Sequence, residues 1–65
     1  LEMWSLGVII YELCCLSLPF QRTEMLTITD KKIQAKCSKI LKNYSQEMYD
    51  LVVGLLTLNF PNKQN

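Results

Sequence analysis

Histidine is absent from the 65 residues, and with it go the Ser-His-Asp and Cys-His nucleophile systems, mixed Cys/His zinc sites and imidazole proton shuttles. Glycine occurs twice, at Gly7 and Gly54, too far apart to build the glycine-rich cover that cradles nucleotide phosphates. An excess of one charge is also missing. Seven Lys or Arg face six Asp or Glu, a formal net charge of +1, and so weak a net field gives no argument for nucleic acid or membrane as partner. The three cysteines, Cys14, Cys15 and Cys37, are odd in number and form no C-x-x-C pair, which points to buried free thiols in a reducing compartment rather than to a disulfide framework or a metal site. No basic segment or cleavage signal precedes the first apolar run. The chain opens on Leu1 and reads as a piece of something longer.

What the sequence has is one long apolar stretch. From Met3 to Phe20 it reads MWSLGVIIYELCCLSLPF, with Glu12 its only charge and apolar side chains in nearly every direction around a 3.6-residue period. A helix without a polar face belongs either to a bilayer or to the middle of a large protein. Ser5, Glu12, Ser17 and Pro19 break the run short of the about 20 apolar residues a membrane span needs. No cluster of Lys or Arg flanks it to set an orientation. The remaining reading is the central helix of a soluble domain, starting near Glu2, whose carboxylate suits the positive end of the helix dipole, and ending before Leu18-Pro19. A folded chain of this size buries only about 60% of the surface its unfolded form exposes. The residues that follow are too few to cover such a helix on every side.

Between Gln21 and Lys42 the pattern is weaker. Met25, Leu26, Ile28 and Ile33 could line one side of a helix, whereas Leu26-Thr27-Ile28-Thr29 would suit a strand equally. Asp30 could cap a shorter helix from Lys31. Lys31, Lys32, Lys36, Lys39 and Lys42 form the one basic segment, read either as a solvated face or as a surface for an anionic partner. From Ser45 onward the spacing is regular: Met48, Leu51, Val52, Leu55 and Leu56 make one apolar stripe on a helix capped by Ser45. Gly54 inside this helix, at a cost of about 1 kcal/mol relative to Ala, suggests a close helix approach. Pro61 ends the element.

The opening Glu2-Met3-Trp4-Ser5-Leu6-Gly7-Val8-Ile9-Ile10-Tyr11-Glu12-Leu13 closely resembles the D-x-W-S-x-G-x-x-x-Y-E-L motif of eukaryotic protein kinases, which marks a buried helix of their large lobe. Leu18-Pro19-Phe20 resembles the x-P-F turn that follows it. Lys31-Lys32-Ile33 resembles the end of the next helix, and Tyr44-Ser45-Gln46-Glu47-Met48-Tyr49-Asp50-Leu51 resembles the Y-S-x-E-L-x-D-L start of the one after. The resemblance covers nearly all of residues 1–65 and leans toward the NIMA-related serine/threonine kinases. It implies a mostly α, three-helix part of the large lobe, with the small lobe, catalytic loop and activation segment lying elsewhere.

Carried over residue by residue, the resemblance implies supporting rather than catalytic roles. Glu2 stands where the family has an aspartate that holds the catalytic-loop backbone. Ile9 and Leu13 stand where two apolar residues anchor a column of side chains leading toward the adenine. Trp4 would pack under the activation segment. Glu12 stands where some kinases touch a substrate arginine, with a structural role the other reading. The catalytic parts of a kinase, namely the glycine-rich loop, the small-lobe lysine, H-R-D and D-F-G, do not occur in the chain. ATP and magnesium are therefore expected of a parent protein only, with a protein substrate or the remainder of the kinase domain as partner and the cytoplasm as location. Three departures raise an alternative. Glu2 replaces the aspartate, and where the family carries D-P-x-x-R-P the chain has Phe60-Pro61-Asn62-Lys63-Gln64-Asn65, so that Gln64 takes the place of the arginine and Asn65 that of the proline. That arginine pairs with a glutamate, and Gln64 lacks its charge and planar fork. An inactive pseudokinase scaffold is the alternative reading.

Overall fold

The structure, a computed structural model, describes residues 2–61. Three α-helices carry it: α1 over Met3–Cys15, α2 over Asp30–Cys37 and α3 over Gln46–Asn59, with 3₁₀ turns at Arg22–Thr27 and Ser38–Lys42. Among the described residues there is no strand.

Helix α1 starts where the sequence places it. Glu2 is extended (φ −75°, ψ 143°) and its carbonyl accepts from the N–H of Leu6 at 3.1 Å, while its side chain makes no capping bond. The helix stops at Cys15, a full turn of chain before the proline. Leu16 takes the left-handed conformation (φ 58°, ψ 31°), and its N–H bonds the Glu12 carbonyl at 2.8 Å. That conformation costs a non-glycine residue roughly 1–2 kcal/mol. It turns the chain back so that Pro19 and Phe20 are buried, and their burial offsets the cost.

The middle of the chain departs most from expectation. Neither a single helix nor a strand forms. A 3₁₀ turn is followed by an extended Ile28 and then by α2, whose cap is Thr29 and not Asp30: the Thr29 hydroxyl accepts from the N–H of Lys32 at 3.2 Å. Because the 3₁₀ turn repeats every three residues and the backbone then extends, Met25, Leu26, Ile28 and Ile33 share no one side. Ile28 and Ile33 enter the core and Met25 packs against it, whereas Leu26 faces solvent. Lys31-Lys32-Ile33 lies in the first turn of α2 rather than at a helix end.

Helix α3 follows its stripe. The Ser45 hydroxyl accepts from the N–H of Met48 at 3.2 Å. Val52 and Leu56 are buried and Met48 and Leu55 half-buried, with Leu51 at the exposed margin. Phe60, ahead of Pro61, is extended (φ −66°, ψ 145°), as the residue before a proline prefers.

The close helix approach is at Gly7, not at Gly54. A Cβ on Gly7 would lie 2.8 Å from Leu56 Cδ2 and 3.1 Å from Leu55 Cβ, whereas one on Gly54 would meet nothing within 4 Å. Glycine in α1 therefore lets α3 rest directly on its backbone. Around this contact Tyr11, Phe20, Ile28, Ile33, Cys37, Ile40, Val52 and Leu56 form the core. The radius of gyration, 10.8 Å, is what about 2.2·N^0.38 gives for a folded domain. No helix among the described residues is long and apolar enough to cross a membrane.

Candidate functional site

The 3.6-residue period divides α1 into two faces with different fates. Gly7 and Tyr11 are buried, and Trp4, Val8, Ile10, Cys14 and Cys15 pack around the core. Opposite them Glu2, Ile9, Glu12, Leu13 and Leu16 meet solvent. This outer face is greasy: Ile9 is 46% exposed, Leu13 70% and Leu16 88%. The structure thus brings Glu2, Ile9, Leu13 and Glu12 together along one uncovered stripe and places Trp4 on the other side of the helix.

Trp4 is half-buried and stacks on Phe20, with ring centroids 6.3 Å apart and planes at 27°. Beside the pair lies an apolar groove of about 240 Å³, walled by Trp4, Val8, Leu18, Pro19, Phe20 and Met25, with Arg22 at its margin. The other face of the Phe20 environment is held by Lys36, whose Nζ sits 5.6 Å from the ring centroid and 3.8 Å from Glu24 Oε2. That ion pair is part-exposed and worth at most about 1 kcal/mol. The groove that Phe20, Arg22 and Met25 share with Trp4 was not foreseen from the sequence. The left-handed turn at Leu16, which folds them back onto Trp4, has no glycine to signal it.

At the centre is Tyr11, with no exposed surface, whose hydroxyl donates to the Lys36 carbonyl at 3.3 Å. Burial, with the thiols of Cys15 and Cys37 alongside, pushes the phenol up to about 12. Burial, then Cys15, pushes the Cys37 thiol up to about 12 as well, and burial also raises Cys14. These groups stay neutral and serve as core.

Among the described residues no three Cys, Asp or Glu side chains converge, and the lysines have no glycine-rich loop beside them. No step of phosphate transfer is assigned to this chain.

Comparison with known proteins places these faces in context. The chain is 33% identical to human serine/threonine-protein kinase Nek5 over 58 residues, 89% of its length. It is 33% identical to human serine/threonine-protein kinase Nek2 over 57 residues, 88% of its length. The chain is a NIMA-related kinase-like segment of the helical large lobe. A probable serine/threonine-protein kinase nek1 of Dictyostelium discoideum is also 33% identical over 58 residues, 89% of the chain. No family model and no solved structure matches significantly. The NIMA-related kinase-like chain spans only 8% of the length of human Nek5, 13% of human Nek2 and 12% of the Dictyostelium relative.

Proposed function

We propose that this chain is a structural part of a serine/threonine protein kinase whose whole domain transfers the γ-phosphate of ATP to protein hydroxyls. The exposed apolar stripe of Ile9, Leu13 and Leu16 along α1 supports this reading best. An apolar helix face that its own neighbours leave open is a surface for further protein, and here the occupant is the remainder of the kinase domain. On this reading Glu2, at the N-terminal end of the stripe, holds the catalytic-loop backbone, Ile9 and Leu13 anchor the column toward the adenine, and Trp4 packs under the activation segment. Glu12, exposed on the same stripe, serves the fold in most settings and touches a basic substrate in the other reading. ATP and magnesium belong to the parent, in the cytoplasm.

The pseudokinase scaffold is the second reading, favoured by Gln64 and Asn65, which lie outside the described residues. ATP-dependent thermal stabilisation of the full parent separates the two. An active kinase gains stability as RT ln(1 + [L]/Kd), and a scaffold that binds no nucleotide shows no shift. For the 65-residue chain alone the proposal expects strong uptake of a hydrophobic dye and a broad melt. A sharp cooperative melt without dye uptake would overturn the structural reading.

A further inference from the structure

Arg22 is the only arginine in the sequence, and among the described residues its side chain makes no hydrogen bond or ion pair. The acid nearest to it in sequence is already engaged. Glu24 Oε1 accepts from the Gln21 N–H at 2.8 Å, and Oε2 faces the Lys36 Nζ at 3.8 Å. A lone arginine in water would mean little, but this one stands at the rim of the groove walled by Trp4, Val8, Leu18, Pro19, Phe20 and Met25, and it is the one charge there. At about 240 Å³ the groove is smaller than the roughly 300–1,000 Å³ of a small-molecule pocket. Its size suits a side chain. The segment that fits carries an apolar side chain to cover Trp4 and Phe20 and, beside it, a carboxylate to take the guanidinium fork in two parallel bonds.

We propose that Arg22 receives the glutamate that closes the activation segment of the parent domain, the group whose arginine is replaced here by Gln64. The proposal rests on the kinase-lobe reading, in which Trp4 packs under that segment, and adds the residue that restores the lost charge. With glutamine at position 64, a carboxylate covered by the folded lobe would stand uncompensated, which proteins tolerate poorly. The chain's one planar fork lies at the groove that Trp4 walls. Lys63 lies next to Gln64 in the sequence but offers a point charge without a fork. Lys36, the other cation near Phe20, is held by Glu24. The ion pair is thereby moved from the stretch after α3 to the connection between α1 and α2.

The experiment measures thermal midpoints of the full parent kinase domain. Arg22→Ala lowers the midpoint on the order of 5 °C, Arg22→Lys recovers part of the shift, and Lys63→Gln leaves the midpoint in place. Once the activation-segment glutamate is replaced by glutamine, Arg22→Ala has little further effect. In a Gln64→Arg background, which returns the fork to its usual position, Arg22→Ala is again nearly silent. If Arg22→Ala gives no folded domain, Arg22→Lys carries the same comparisons. A midpoint untouched by Arg22→Ala would leave the groove to an occupant outside the domain and overturn the proposal. So would an equal loss with the glutamate present and absent, an equal loss in the Gln64→Arg background, or coupling of the glutamate to Lys63 instead. The kinase-lobe reading has its own control on the other face of α1: if serine at Ile9 and Leu13 destabilises the domain and Arg22→Ala does not, only the present proposal fails.

Discussion

Replacing either glycine by alanine offers the sharpest check on the packing of α1 against α3, because the same chemical change is expected to have opposite signs at the two positions. In a helix interior Gly→Ala gains about 1 kcal/mol from backbone entropy. At Gly54 nothing lies within 4 Å of the new methyl, so Gly54→Ala keeps that gain. At Gly7 the methyl arrives 2.8 Å from Leu56 Cδ2, 3.2 Å from Leu56 Cγ and 3.1 Å from Leu55 Cβ. Leu56 has no exposed surface and cannot swing into solvent, and the Leu55 Cβ is fixed to its own backbone. Relief requires α3 to back away from α1, and overpacking of this kind costs roughly 1–3 kcal/mol. Toward the upper part of that range the net effect of Gly7→Ala is a loss of about 1–2 kcal/mol, some 2–3 kcal/mol below Gly54→Ala. Urea titration followed by far-UV circular dichroism, in a background of trimethylamine oxide to favour the packed state, reads the two midpoints. If Gly7→Ala raises the midpoint as much as Gly54→Ala does, the close contact between the helices does not exist.

Ser45→Ala removes the hydroxyl that accepts from the Met48 N–H at 3.2 Å, and α3 should lose about 1 kcal/mol, visible in the same titration; an unchanged midpoint would show the cap to be idle. The double substitution Ile9→Ser with Leu13→Ser should cut dye uptake by the chain while moving its urea midpoint little, since both side chains are exposed. The same pair in a full kinase domain should cost several kcal/mol, as buried large-to-small changes do, and equal small effects in both settings would deny the stripe a partner. Alkaline titration gives a further check. Tyr11 and Cys37, ordinarily near 10.0 and 9.0, are each pushed up to about 12 by burial, so the unfolded chain releases these protons first. Stability is then full below about pH 9 and falls between about pH 9 and pH 12. Tyrosinate absorbance from Tyr11 that rises well before the helical signal falls would contradict the burial.

The parts of the fold legible in the sequence are those set by local periodicity or a local cap. The α3 stripe from Met48 to Leu56 and the Ser45 cap needed only residues within one or two turns of each other. The start of α1 and its apolar outer face were readable for the same reason. The end of α1 was not, because Leu16 takes a conformation that leucine seldom adopts, and only the later burial of Pro19 and Phe20 makes it worthwhile. Between Gln21 and Lys42 short β-branched stretches left helix and strand balanced, and tertiary contacts at Ile28 and Ile33 decided. Thr29 prevailed over Asp30 as cap because the extended chain at Ile28 and Thr29 delivers its hydroxyl, and not the carboxylate, to the Lys32 N–H. The two glycines show the same limit. Both lie inside helices, but which one touches a neighbour depends on how α1 and α3 face each other, and no window of sequence contains both. For the candidate site, the kinase-like motif marked Glu2, Trp4, Ile9 and Leu13, and their split between the two faces of α1 follows from helical spacing. The groove at Phe20 depends on chain reversal and was hidden.

The contact between Gly7 and Leu56 also bears on how such a chain is made. During synthesis the ribosome delivers the leucine about 50 residues after the glycine, a wait of about 2–10 s at ordinary elongation rates. Throughout that interval the nascent first helix lacks the later helix, one of its eventual covers. A greasy rod left uncovered for seconds is a chaperone client, and slowing translation ahead of α3 should lengthen its stay with holdases more than it alters any other stage of biogenesis.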